Sequence, residues 1–279
     1  MHFTKMQGAG NDFIVIDNKA LKLPLDRLPG MARRLCTRRI SIGGDALMAA
    51  DFPEQGGDFR MRFYNPDGTV AEMCGNGARC IARYAYERGF ARAHMTIETV
   101  AGPVQAWRQD RRRYKIKLNN PGTLELHRPV EARGRIWDCA YVELGTPGIP
   151  HAVVHYPGLV DAVEDELRAL GRTLRFHSAF PKGANVNFYD VVSGGNVVEK
   201  TYERGVEDFT LACGTGSGST AAVLTLLGKL PGPTVHLSVP GGDLWIEVEQ
   251  TQARITGLYL VGDTNIVAEG EIMDEDLVL

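Results

Sequence analysis

Two runs in this chain pair a cysteine with closely spaced glycines: Cys74-Gly75-Asn76-Gly77 and Cys213-Gly214-Thr215-Gly216. A cysteine placed just before a helix meets unpaired backbone amides and the positive end of the helix dipole. Both favour the thiolate over the thiol near neutral pH. The glycines let the backbone come close to a bound group, and their amides can hold a carboxylate as helix N-termini hold anions. Each run is therefore half of an amino-acid site, a proton-transfer group beside a carboxylate cradle. Together they suit inversion of a Cα centre: a thiolate removes the proton from one face and a thiol delivers another to the opposite face. The cradles would stabilise the charge that builds on the carboxylate as the proton leaves. Such a pair titrates as a coupled unit.

Competing chemistries fit less well. Gly214-Thr215-Gly216-Ser217-Gly218 lacks the lysine of a nucleotide phosphate loop and the order of a dinucleotide fingerprint. Cys74 and Cys80 do not have structural zinc spacing, and no histidine pair accompanies them. A cysteine nucleophile served by a histidine for acyl transfer would leave the second cysteine without a purpose. Cys36, Cys80 and Cys139 stand outside any motif and are read as packed, inert thiols. His2, His94, His127, His155, His177 and His236 are read as structural.

Both cysteine runs lead into helices. After Gly77, the i, i+4 spacing of Arg79, Arg83 and Glu87 predicts one polar stripe, and Gly89 is a plausible stop. After Gly218, the segment to Leu227 carries no charge, which predicts a helix wrapped by other elements. Strand signals dominate elsewhere. Apolar and charged residues alternate over Phe59–Phe63, Tyr114–Leu118 and Leu244–Val248, with further short candidates at Phe13–Ile16, Ala152–Val154 and Val235–Leu237. The strand-and-long-helix rhythm of a doubly wound parallel sheet is absent. The two cysteine blocks lie about half a chain apart, which predicts an α+β protein of two pseudo-symmetric halves. Each half would be a curled, mostly antiparallel, barrel-like sheet around one central helix, with the active site in the cleft between them. The expected halves are residues 1–119 with 266–279, carrying Cys74, and residues 120–265, carrying Cys213.

A formal charge of −3 gives no broad basic field for nucleic acid. No apolar run reaches the length of a membrane span, and no secretory leader pattern opens the chain. Five scattered cysteines make a poor disulfide framework, so a reducing cytoplasm is expected.

Further motifs surround the cysteine runs: Gly8-Ala9-Gly10-Asn11-Asp12-Phe13, Asn65-Pro66-Asp67-Gly68, Asn185-Val186-Asn187-Phe188 and Glu203-Arg204-Gly205. In this order, with the cysteine blocks, they resemble diaminopimelate epimerase over essentially the whole chain. The related proline racemases typically have His at the position of Asn76. The resemblance implies interconversion of LL- and meso-diaminopimelate without pyridoxal phosphate or metal, in lysine and peptidoglycan precursor synthesis, by a homodimer. By position it makes Cys74 and Cys213 the acid/base pair. Gly75, Asn76, Gly214 and Thr215 would hold the reacting carboxylate. Asn11, Asn65, Asn185 and Arg204 would grip the substrate, with Arg204 and the asparagines at its distal end. Glu203 and His151 would split the two thiols, a carboxylate raising one pKa and a cationic imidazole lowering the other, and Glu203 would also touch the substrate. Three positions depart from common family forms: Phe209 where Glu is usual, in a stretch one residue longer, Ile149 where some members have Asn, and Ala46 where Gln can occur. A racemase for another amino acid such as histidine, and a non-catalytic amino-acid-binding protein, are the alternatives.

Overall fold

The computed structural model describes residues 1–230, 232–252 and 254–277. The chain divides into two compact units, Met1–Ile116 with Gly262–Leu279, and Lys117–Val261.

The first unit contains β1 (His2–Gly8), β2 (Asn11–Asp17), α1 (Asn18–Leu21), α2 (Leu28–Leu35), β3 (Ala46–Asp51), β4 (Phe59–Tyr64), α3 (Gly75–Glu87), β5 (His94–Thr99), β6 (Gly102–Arg108) and β7 (Arg113–Leu118). The strand Asn265–Glu271 returns to pair antiparallel with β1. From there the sheet runs β1–β2 antiparallel, β2–β3 parallel, β3–β4 antiparallel, β4–β5 parallel, then β5–β6 and β6–β7 antiparallel. Side chains alternate across a strand, so β2 serves two layers. Ile14 and Ile16 join Leu28, Met31, Ala32 and Leu35 of α2 on one face. Phe13 and Met48 meet α3 at Gly77 on the other. Every residue of β3 is buried, as befits a strand covered on both sides.

The second unit contains β8 (Pro121–Ala132), β9 (Arg135–Gly145), β10 (Gly148–His155), α4 (Glu164–Arg175), β11 (Asn185–Val191), β12 (Val197–Glu203), β13 (Asp208–Thr210), α5 (Gly214–Leu226), β14 (Thr234–Val239), β15 (Gly242–Thr251) and β16 (Arg254–Asp263). Its pairings are β8–β9 and β9–β10 antiparallel, β10–β11 parallel, β11–β12 antiparallel, β12–β14 parallel and β14–β15 antiparallel, with β13 antiparallel to β12. The alternation of β1 to β6 thus recurs from β9 to β15. In each unit an outer helix (α2 or α4) falls between the second and third strands of the series, and a cysteine-led helix (α3 or α5) between the fourth and fifth. The α+β class and its repeated halves follow the sequence expectation, with parallel pairs mixed into the antiparallel framework.

Three features differ from that expectation. Helices α3 and α5 begin directly after the cysteines, so the glycines lie inside the first turns. The Cys74 and Cys213 carbonyls accept the first helical bonds, from Ala78 N at 2.8 Å and Ser217 N at 2.9 Å. Gly216 and Gly218 are needed for close packing there: a Cβ at Gly216 would collide with the Asn187 side-chain oxygen, and one at Gly218 would lie 2.7 Å from Leu118 Cδ1. Second, the Arg79–Arg83 stripe of α3 faces inward, with Arg79 0% and Arg83 6% exposed. Arg83 compensates by donating to Thr264 O at 3.0 Å and to Glu87 at 2.8 Å. Third, α2 and α4 carry weak sequence signals, because Pro29-Gly30 and Gly171 sit within them. Gly171 is there because Tyr202 packs against it, and Leu167, Leu170 and Leu174 supply the buried stripe.

Candidate active site

In the first unit Cys74 is the N-cap of α3, with extended backbone at φ −131° and ψ 126°. The amides of Gly75, Asn76 and Gly77 precede the first helical donor, Ala78 N, so the helix itself gives them no acceptor. The Cys74 thiol donates to Asn11 Oδ1 at 3.3 Å. Asn11 is held in that orientation by Asp45, whose Oδ2 accepts from Asn11 Nδ2 at 2.6 Å and from Asp12 N at 3.0 Å. Arg38 in turn donates to the other Asp45 oxygen at 3.0 Å. The side chain of Asn76 is buried and accepts from Arg79 Nη2 at 3.0 Å. Among the described residues, Arg79 Nε and Nη1 have no hydrogen-bond partner. Burial pulls the Arg79 pKa down, while the charges of Cys80 and Cys74 act to raise it. Asn65 closes the turn after β4, its Nδ2 donating to Thr69 Oγ1 at 3.0 Å. The structure thus joins Asn11 to Cys74 and Asn76 to Arg79, and engages Asn65 in its own turn.

In the second unit Cys213 is the N-cap of α5, at φ −121° and ψ 102°, and is 7% exposed. Its sulfur lies 3.5 Å from Thr215 Oγ1. Burial pushes the Cys213 thiol well above its ordinary range, and the Glu203 charge pushes it further; the Thr215 hydroxyl and Gly216 amide oppose the shift. Glu203 itself is raised by burial. Asn185 accepts from Arg204 N at 2.8 Å, which fixes the Glu203-Arg204 corner against β11. The Arg204 side chain is exposed and donates to Lys182 O at 3.1 Å, while Glu207 pairs with Arg175 at 3.0 Å.

His151 is 0% exposed, and burial lowers its pKa to about 3. The imidazole is therefore neutral at physiological pH, which corrects the expectation of a cationic group. Asn187 fixes its tautomer. Thr201 Oγ1 donates to Asn187 Oδ1 at 3.0 Å, which leaves Asn187 Nδ2 to donate to His151 Nδ1 at 3.1 Å. The ring proton then belongs on Nε2, a buried nitrogen with no partner among the described residues. His151 offers a hydrogen-bond donor, not a charge.

Sequence reasoning missed Arg79, Asp45, Asn187, Thr201 and Glu199 as parts of these networks. Alternation along β12 puts Glu199, Thr201 and Glu203 on one face, but no sequence signal says that this face is buried beneath α5. The three other cysteines are buried, which pushes Cys36 to about 11 and Cys80 and Cys139 to about 12, as inert thiols should be. Phe209 pairs with Tyr202 across β12–β13 and packs edge-on to it, at 5.9 Å and 86°. It belongs to the core beneath α4, on the sheet face opposite Glu203. Ala46 is buried in β3, and Ile149 is 37% exposed at the start of β10. Among the described residues, no helix is long and apolar enough to cross a membrane.

The chain belongs to the diaminopimelate epimerase family, whose model matches residues 3–121 and 146–267. The intervening stretch is most of the β8–β9 hairpin. The chain is 37% identical to the diaminopimelate epimerase of Methanothrix thermoacetophila, covering 99% of this chain and 98% of that protein. It is also 37% identical to that of Aquifex aeolicus, covering 99% of each. Among solved structures, the fold matches a PhzF-family phenazine biosynthesis protein of Bacillus anthracis at TM-score 0.75 and 14% identity, covering 98% of this chain and 99% of that one. A hydroxyproline epimerase of Agrobacterium vitis matches at TM-score 0.62 and 18% identity, covering 99% and 94%.

Proposed function

We propose that this chain is a diaminopimelate epimerase that inverts one Cα by proton transfer between Cys74 and Cys213, with no cofactor. The observation that carries the reading is the repeated N-cap cysteine: each of the two glycine-rich helix starts, in a chain of this family, presents one sulfur beside first-turn amides that have no acceptor within the helix. One cysteine, as thiolate, takes the Cα proton. The other, as thiol, returns a proton to the opposite face, and the reverse reaction exchanges the roles. The amides of Gly75, Asn76, Gly214 and Thr215 hold the reacting carboxylate, where charge develops. Asn11, Asn65, Asn185, Glu203 and Arg204 are the substrate-binding groups of this reading, with the Arg204 guanidinium suited to a distal carboxylate. Glu203 and His151 bias the thiols, the first by its charge and the second through its Nε2 proton.

Phe209 lies in the α4 core, which removes one of the three departures from the site and favours diaminopimelate over another amino acid. All five cysteines are free thiols, which supports a cytoplasmic setting. The family resemblance supports a homodimer.

The test is turnover of LL-diaminopimelate in D₂O. Deuterium should enter the α-position as meso product forms, and a panel of other L-amino acids, histidine included, should exchange far more slowly. Faster exchange with another member of the panel would reassign the substrate. Binding without exchange would make the protein a carrier.

A further inference from the structure

A buried polar cluster lies under the Cys213 turn. Glu199 on β12 is 1% exposed, and its two carboxylate oxygens accept from Ser217 Oγ and Thr220 Oγ1, each at 2.5 Å. Both hydroxyls belong to the first half of α5 and are themselves 0% exposed. The Ser217 amide also donates to the Cys213 carbonyl. One carboxylate therefore grips the turn that carries the sulfur. A carboxylate buried without partners is costly, and here both partners come from a helix that carries no charge. Apolar residues at the three positions would fill the same space more cheaply, so packing alone is a poor account of the cluster.

Other groups face Glu199 from each neighbouring element. Thr201 and Glu203 share its face of β12. Tyr189 stands directly across on β11, with Asn187 two residues away. Tyr189 OH accepts from Lys229 Nζ at 3.4 Å, beyond the end of α5, and the His155 ring of β10 packs on Tyr189 at 5.2 Å. His151 of β10 is neutral. From β14 and β15 come the buried apolar residues Val235, Leu237, Leu244 and Ile246. The cation on this side is thus directed to a tyrosine, and hydroxyls alone answer the Glu199 carboxylate.

We propose that Glu199 is a positioning residue for the epimerase reaction: through Ser217 and Thr220 it locks the first turns of α5, and its carboxylate adds to burial and Glu203 in weighting Cys213 toward the thiol, the proton-donating form. This rests on the two-cysteine reading above. Burial brings the Glu199 carboxyl up to about 7, and its charge is among those that raise the Cys213 thiol. A rise in pH through neutrality therefore adds a negative charge that makes Cys213 harder to ionise.

The test is the pH dependence of iodoacetamide labelling at each cysteine, read by peptide mass spectrometry on the whole protein, with no substrate present. Glu199→Gln keeps the shape and loses the charge, with the amide oxygen accepting from one hydroxyl and the amide nitrogen donating to the other. It should lower the Cys213 labelling midpoint by about 0.3 pH unit, a twofold gain in labelling rate at fixed pH, while that of Cys74 stays put. Thr220→Val, which destabilises the ionised carboxylate, should shift Cys213 in the same direction and decides the matter if the glutamine variant does not fold. An unchanged Cys213 midpoint in a folded variant overturns the proposal. In wild-type protein, absence of α-deuterium exchange would instead overturn the epimerase reading, whichever way the labelling falls.

Discussion

The two cysteine-led helices occupy equivalent places in a repeated strand order, yet the buried charge around them has opposite sign. On α3 the charge is positive and lies on the helix itself: Arg79 and Arg83 are buried, and the sheet around them contributes Phe13, Met48 and other apolar side chains. On α5 the helix is uncharged, and the charge is negative and lies on the sheet, at Glu199 and Glu203. The two thiols consequently face different polar surroundings. Cys74 donates to an Asn11 oxygen, and its charge is among those that act on the buried Arg79. Cys213 is weighted toward the thiol by burial and carboxylates together. A fold with a repeated topology can thus carry a polar asymmetry, provided the differing residues sit beneath the repeated motif and not in it.

The most severe way to probe the comparison is to remove the sulfurs one at a time. Cys74→Ala and Cys213→Ala should each lower epimerisation by about a thousandfold or more, the scale of a lost acid/base group. Normal turnover by either folded variant would break the two-base scheme.

The next effect is on stability, where His151 and Glu199 pull in opposite directions. His151 titrates at about 3 in the fold against 6.5 when unfolded, so between these values the native state binds fewer protons and stability is lost as pH falls. Glu199 titrates at about 7 against 4.5, so the native state binds more protons and stability is lost as pH rises through that window. Glu199→Gln should therefore gain about 3 kcal/mol over wild type on going from pH 4 to pH 8, measured by urea unfolding at the two values. Equal pH dependence in both proteins would show that Glu199 is not strained by burial.

A smaller effect sharpens the sign of the contrast. Arg79→Met should raise the Cys74 labelling midpoint, with labelling at pH 7 slowed by a factor of about 3 to 10, opposite to the change expected at Cys213 in Glu199→Gln. A shift in the same direction for both would dissolve the asymmetry. Smallest of all, Phe209→Leu should cost about 1 kcal/mol of stability through the aromatic cluster under α4 and leave kcat/KM unchanged. A fall in kcat/KM with intact stability would return Phe209 to the substrate site.

Much of this was legible in the sequence. Cys74 and Cys213 were identified from glycine spacing, because a helix start with paired glycines has few other uses for a thiol. The strands of β4, β7 and β15 were legible from period-two alternation, and α5 from its lack of charge. Helix α4 was hidden by Gly171, whose reason is Tyr202, a residue far along the chain. The Arg79 stripe was read as a polar face, because i, i+4 spacing reports which side chains share a side and not what that side meets.

The sequence by itself determined the family to which the chain belongs, the repeat of the cysteine motif and the two thiols that the proposed chemistry uses. Tertiary structure alone decided the electrostatics. Whether Glu199, Arg79 or His151 is charged depends on how much water the fold takes from it and which hydroxyl or amide it receives in return. Residues brought together from separate strands and helices fix both quantities, since local sequence sets a side chain's type and direction while the energy of its charge depends on everything around it.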